Sequence, residues 1–373
     1  MKLTIDRAAL LKSLAHVQSV VERRNTIPIL SNILIEAQDG DSVSLTATDM
    51  DLDMVDRVTC SVSLPGSVTA PAHTLYDIVR KLPDGASVEL TSEPEKERVT
   101  VRAGRSTFTL PSLPTADFPS LASDDLPHNF VLSGGDLKAL IDRTSFAIST
   151  EETRYYLNGI YVHATNQPSG PVLRGVATDG HRLARVELPL PKGAESIPGV
   201  ILPRKMVLEL RKLLDEADGA VSIGLSETRI RLAFGAIILS SKLIDGTFPD
   251  YERVIPTGND KVLELNCDSF AEAVDRVATI STEKSRAIKI ALGSNTLTLT
   301  ANSPEAGSAT EELEVSYTSS GFEIGFNSRY LLDILKQVQG DVAQFIMADA
   351  ASPTVVRDRA DGSAIYVLMP MRV

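Results

Sequence analysis

Two cysteines, Cys60 and Cys267, are all that the 373 residues contain, and they form no CxxC pair. Their separation argues against a disulfide framework or a thiolate zinc site, and both read as small core or surface residues. Aromatic residues make up only 5% of the chain. With no zinc-finger spacing, recognition-helix motif or ribonucleoprotein signature either, readout of nucleic-acid bases is not expected. GxSxG, GxxxxGK[ST], a GxGxxG after a strand and HExxH are missing too, so nucleophile-elbow, nucleotide, dinucleotide and zincin chemistry lack support and no cofactor or metal is expected. Long apolar runs are missing as well. The opening MKLTIDRAALLKSL carries charge at Lys2, Asp6 and Arg7, so it reads as neither a secretory signal nor a membrane span, and a cytoplasmic protein is expected. Positive charge is in deficit, 37 Lys and Arg against 49 Asp and Glu for a net −12. That balance ordinarily argues against nucleic acid, because phosphate binding is driven by Lys and Arg releasing counterions.

What is present is a repeat about one third of the chain long. Three segments begin with an extended run and continue as an apolar-periodic helix: LTIDRAALLKSLAHVQSVV from Leu3, FVLSGGDLKALIDRTSFAI from Phe130 and LELNCDSFAEAVDRVATIS from Leu263. Asp6, Ser133 and Asp268 are the expected N-caps. A second set, VTAPAHTLYDIVRKL from Val68, VILPRKMVLELRKLL from Val200 and IGFNSRYLLDILKQV from Ile324, reads as strand, cap or Pro, then amphipathic helix. Alternating, turn-punctuated segments between and after the helices predict hairpin-connected antiparallel strands. The first two thirds both close on Phe-Pro, in PSLPTADFPSL and SKLIDGTFPDY, with linkers near Ala122 to His128 and Pro256 to Asp260. Three α+β units follow, and repetition alone would suit duplicated modules of any function.

The charge is segregated. The second helices carry Asp77, Arg80 and Lys81, then Arg204, Lys205, Glu209, Arg211 and Lys212, then Arg329, Asp333 and Lys336, for net charges of +1, +3 and +1. Their total of +5 stands in a chain of −12, leaving −17 elsewhere. Basic helices on an acidic background can steer an anion, although a solvated helix face carries Lys and Arg for solubility alone. The first helices add little, at +2, zero and −2 over residues 6–24, 136–148 and 268–280.

IPILSNILI, ETRYYLNGIYV, VATDGHRLA, FPDYERVIP and the terminal VLMPMRV occur in this order, and on them the chain resembles the bacterial sliding clamps, the beta subunits of the DNA polymerase III holoenzyme. The resemblance spans the whole chain. It implies three tandem copies of a DNA-clamp domain, 1–124, 125–257 and 258–373, each with two helices packed on antiparallel sheets. It further implies a head-to-tail homodimer that closes six domains into a ring around duplex DNA, without sequence preference or catalysis. Retention would be topological, and ATP use would belong to a separate loader. For DNA contact the resemblance points to Arg24, Arg80, Lys81, Tyr155, Tyr156, Arg204 and Lys205. For a groove binding short peptides of the polymerase catalytic subunit, the loader and other partners it points to Leu157, Thr178, Gly180, His181, Arg182, Leu183, Pro249, Arg253, Val254, Val367, Met369, Pro370, Met371 and Arg372. Apolar lining suits that use, since each buried Leu or Phe gains roughly 1.5–3 kcal/mol and Met adapts to varied ligands. The dimer contact falls on the strand STFTL, with Phe108 and Leu110 facing Thr279 and Ile280, and Lys96, Arg98, Arg102 and Arg105 opposing Glu305, Glu311, Glu312 and Glu314. Two other readings stay open: a hydrolase using TDGHR with Arg182 and Arg253 holding an anionic substrate, and a monomeric peptide-binding module that never surrounds DNA.

Overall fold

The computed structural model describes residues 1–38, 40–119, 125–216, 219–281 and 286–372. The expected first domain boundary at Asp124, the start of the first linker and Val373 lie outside the described residues.

Each third of the chain folds through the same succession, with one added strand, β5, in the first. The first contains β1 (Lys2–Asp6), α1 (Arg7–Val17), β2 (Asn32–Ala37), β3 (Ser42–Thr48), β4 (Leu52–Thr59), β5 (Ser61–Leu64), β6 (Gly66–Pro71), α2 (Ala72–Lys81), β7 (Ser87–Glu93), β8 (Arg98–Ala103) and β9 (Ser106–Pro111). The second contains β10 (His128–Ser133), α3 (Gly134–Ser145), β11 (Gly159–Gln167), β12 (Gly170–Thr178), β13 (Arg182–Pro189), β14 (Val200–Pro203), α4 (Arg204–Leu214), β15 (Ala220–Leu225), β16 (Arg229–Phe234) and β17 (Ile237–Lys242). The third contains β18 (Lys261–Asn266), α5 (Cys267–Ala278), β19 (Ala287–Gly293), β20 (Thr296–Ser303), β21 (Gly307–Glu314), β22 (Glu323–Asn327), α6 (Ser328–Leu335), β23 (Val342–Met347), β24 (Thr354–Asp358) and β25 (Ala364–Leu368).

The first, fifth and sixth helices start where a short polar side chain satisfies orphaned amides, while the second starts after Pro71 with no side-chain cap. Asp6 accepts from the Ala8 and Ala9 amides at 2.9 and 3.1 Å, a cap contributing about 1 kcal/mol. Asp268 does not cap the fifth helix. Asn266 accepts from the Ser269 amide at 3.0 Å, and Asp268 sits inside the first turn, where its charge meets the helix dipole favourably. Leu10, Leu14 and Val17 of α1 bury the stripe expected from their spacing, packing on β4, β3 and α2. In α5, Phe270, Ala273, Val274 and Val277 do the same against β20 and β21, with Phe270 edge-on to Phe345 of β23 at 5.7 Å.

The sheets cross the repeat boundaries. Each repeat supplies two half-sheets, of four strands each except for the five of β5-β1-β7-β8-β9, and β17 of the second repeat pairs antiparallel with β4 of the first, from Ile237 opposite Asp56 to Ser241 opposite Leu52. The result is an eight-stranded sheet ordered β10-β15-β16-β17-β4-β3-β2-β6. By the same join, β25 of the third repeat pairs with β13 of the second, Arg182 opposite Leu368, giving β14-β11-β12-β13-β25-β24-β23-β18. The chain therefore divides into two compact units, residues 1–135, 191–197 and 208–243, and residues 136–190, 198–207 and 244–373. Two halves remain without a partner half, the sheet β5-β1-β7-β8-β9 in the first unit and β21-β20-β19-β22 in the second.

Candidate partner groove and nucleic-acid interface

In the second unit the start of β13 and the end of β25 lie side by side, with Leu183 opposite Val367. Both are buried in one apolar cluster with Leu157, Val176, Ile201, Phe248 and Tyr251, and Tyr156, Tyr161, Ile244 and Ile255 pack against it. Phe248 and Tyr161 stack at 4.9 Å with planes 7° apart, and Tyr251 stands edge-on to Phe248 at 6.4 Å. Above this floor Val254 and Met369 are 50% and 41% exposed. Apolar side chains this open beside a closed apolar floor form the kind of surface that takes a hydrophobic partner.

The turn between β12 and β13 is built from the TDGHR segment. Thr178 Oγ1 donates to the Arg182 carbonyl at 2.7 Å and accepts from the Gly180 amide at 3.1 Å, while Asp179 Oδ1 accepts from the His181 and Arg182 amides. Gly180 has φ +88°, a backbone conformation that favours glycine, and the Arg154 guanidinium lies against the space a Cβ would take. The tail leaves β25 by a Met369 amide bond to the His181 carbonyl, and the Met371 amide reaches the Gly325 carbonyl at 2.8 Å. Pro370 and Met371 are half-buried, while Pro249 and Arg372 are exposed. Arg253 is open to solvent and paired with Asp250 at 2.7 Å.

Arg182 is different in kind. Its side chain is 9% exposed, paired with Asp179 at 3.1 Å and Asp333 at 2.7 Å, donates to the Phe146 carbonyl at 2.7 Å, and lies over the Tyr330 ring at 4.3 Å. A guanidinium so committed braces the turn and has no free edge for an anionic substrate, which removes the hydrolase reading built on it. Among the described residues no group of His, Cys, Asp and Glu could hold a metal.

Phe248, Tyr251, Tyr161, Val176 and Ile201 were not expected in the groove. The FPDYERVIP segment contained the signal for the first two, because its aromatic residues must be buried somewhere close to Pro249, Arg253 and Val254.

The residues expected at DNA are distributed over both units. Arg24, Arg80 and Lys81 belong to the first and are exposed; Arg80 pairs with Asp77 at 2.9 Å and sits over Tyr76. Tyr155, Tyr156, Arg204 and Lys205 belong to the second. Tyr155 is 53% exposed, whereas Tyr156 turns into the groove cluster. Arg204 and Lys205 are half-buried at the first turn of α4.

At the expected dimer contact, β9 is an edge strand, as is β21. Phe108 is half-buried, and Leu110, two positions along the same strand, is 7% exposed. Thr279 is exposed just past α5 and Ile280 half-buried. Three of the charges expected to cross are paired within the chain, Lys96 with Glu93, Arg102 with Glu89 at 4.0 Å and Glu311 with Arg276.

Residues 1–122, 131–250 and 252–372 match in turn the N-terminal, central and C-terminal domains of the DNA polymerase III beta subunit. The chain belongs to this family. It is 57% identical over 373 residues to the beta sliding clamp of Caulobacter vibrioides and 42% identical over 376 residues to that of Escherichia coli K12, with all of each chain covered. Among solved structures, the Caulobacter crescentus sliding clamp superposes with a TM-score of 0.94 at 56% identity. The Bartonella birtlesii clamp bound to griselimycin does so with 0.97 at 50%, and the whole of both chains is covered in each case. The chain is thus a sliding clamp of three tandem α+β domains, a non-catalytic processivity subunit. No helix among the described residues is long and apolar enough to cross a membrane.

Proposed function

We propose that two copies of this chain close head to tail into a six-domain ring that encircles duplex DNA, and that the groove tethers the replicative polymerase, the loader and other partners through short peptide segments. The domains would run 1–124, 125–257 and 258–373, and the ring would work in the cytoplasm. The observation that carries this reading is the pair of bare edges. Within the chain, the outer hairpin strand of one repeat twice joins the β4-type strand of another, at β17 with β4 and at β25 with β13. The strand β9 is the remaining member of the first type and β21 of the second. Joining β9 of one copy to β21 of another makes the same kind of join, here of five strands with four, and doing so twice leaves no such edge open. A monomer would leave both exposed.

Charge supports the same arrangement. Exposed Arg98, Arg102 and Arg105 flank β9, while exposed Glu305, Glu312 and Glu314 flank β21, which sets the register of a head-to-tail contact. Arg204 and Lys205 open α4, where the helix dipole favours anions and a cation costs roughly 0.3–1 kcal/mol. A DNA phosphate held between them would offset that cost.

The test loads the protein onto nicked circular DNA with a clamp loader and ATP, removes free protein, and linearises the circle in high salt. An encircling ring is retained on the circle and lost from the line. Retention that falls with salt equally on both would mean electrostatic adhesion and would overturn the ring.

A further inference from the structure

We propose that Arg174, which no ligand can touch, is a positioning residue that fixes one wall of the partner groove before a peptide arrives. The proposal rests on the groove being the peptide-binding surface. Arg174 lies on β12 and is fully buried, with 0% exposure. A guanidinium without water must spend its donors on protein acceptors. Its Nε donates at 2.9 Å to Glu187, its cross-strand partner on β13. Its Nη1 leaves the sheet and donates to the Tyr251 hydroxyl and the Glu252 carboxylate, both at 2.6 Å. Those two residues begin the 3-10 turn Tyr251–Val254, which carries Arg253 and Val254 at the rim. A single turn of 3-10 helix has little stability of its own, so its position depends on what holds its ends.

The hydrogen-bond directions leave one arrangement. Arginine only donates, so the Tyr251 hydroxyl accepts from it and gives its own proton to His163 Nε2, 2.9 Å away. His163 Nδ1 then carries the ring proton and donates to the Ala164 carbonyl at 3.2 Å. Burial first, and the Arg174 charge after it, keep His163 below its ordinary pKa and therefore neutral, as this direction requires. On its other side the Tyr251 ring is part of the groove floor, edge-on to Phe248 and to Tyr161. Tyr251 is thus held at its hydroxyl by the buried charge and at its ring by the floor. A wall set in advance lowers the ordering cost of binding.

The test compares wild type, Tyr251→Phe/Glu252→Gln and, as a control on the opposite wall, Met369→Ala, with griselimycin as the probe in titration calorimetry. The double variant keeps the aromatic ring and the Arg174–Glu187 pair and removes the tie to the rim, together with the Tyr251–His163 hydrogen bond, while Glu252→Gln alone leaves that bond in place. Affinity should fall about tenfold, the scale of losing a charge-assisted hydrogen bond, with faster amide exchange at Arg253 and Val254. Met369→Ala should also weaken the probe. If it does while the double variant binds within twofold of wild type, Arg174 does not position the wall and the proposal is overturned. If wild type fails to bind, or Met369→Ala has no effect, the groove reading itself has failed. Should the double variant not fold, Glu252→Gln alone decides, because that side chain is largely in solvent: unchanged affinity and unchanged exchange at Val254 would overturn the proposal.

Discussion

Replacing His16 by glutamine should destabilise the first unit at pH 6 by about 3 kcal/mol and by clearly less at pH 9. His16 lies in the last turn of α1, 8% exposed. Its Nδ1 is 2.7 Å from Asp56 Oδ2 on β4, and its Nε2 is 3.3 Å from Glu216 Oε2, just past α4. Lys12 reaches the same Glu216 oxygen at 3.0 Å. Burial alone would push the imidazole pKa down, but Asp56, followed by Glu216, outweighs it, and the net shift is upward. A group whose folded pKa is raised stabilises fully below its unfolded value, near 6.5, and loses that contribution as pH rises through the folded value. Glu216 moves the opposite way, lowered first by Lys12, so its contribution is lost only on acidification below the window used. Removing one partner of a buried pair typically costs 3–5 kcal/mol. The lower end applies here because Glu216, 47% exposed, and the Lys12 side remain open to water. The assay is the first calorimetric transition of wild type and variant at pH 6, 7.5 and 9, since a chain of this size need not unfold in one step. A difference below about 0.5 kcal/mol at pH 6, small against the usual cost of breaking such a pair, or one that grows toward pH 9, would refute the reasoning.

Phe108→Glu places a charge on a half-buried position of the open strand β9 and should convert the dimer to monomer in sedimentation equilibrium, with the melting curve of the first unit little changed; a dimer of wild-type affinity would show that β9 is not the contact. Cys267 is buried and its thiol pushed up to about 11, chiefly by desolvation, so a thiol-specific colorimetric reagent at pH 8 should leave it unlabelled until denaturant is added. Rapid labelling of the native protein would contradict the packing at the start of α5.

What the sequence made legible was local. The three long helical segments, their second partners and the Asp6 cap each depend on residues within one or two turns, and the 3.6-residue period carries them. Asp268 misled because the helix begins two positions earlier, with Asn266 capping the Ser269 amide. The cross-repeat sheets were not legible, since Ile237 meets Asp56 across 181 positions and nothing in either strand names its partner. The exposed groove residues came from family resemblance, and the aromatic floor beneath them depends on contacts between β11, β12 and the Phe248–Tyr251 segment. Arg182 was expected at the groove from the family resemblance, and its pairing with Asp333, 151 positions later, was not legible from its neighbours in sequence.

The middle repeat owns no sheet of its own, having lent one half to each neighbour. Covalent order and mechanical order in this chain are therefore different things. A cut in the linker between the first and second repeats would sever the backbone and still leave them laced by the five residue pairs of β17 and β4. An excised middle repeat, by contrast, would emerge with two further raw margins, at β17 and β13, beside the β10 and β14 edges it already has. The fold behaves less like beads on a string than like a zip whose teeth are set out of phase with its tape, and a bare tooth row at each end is what a second copy would engage.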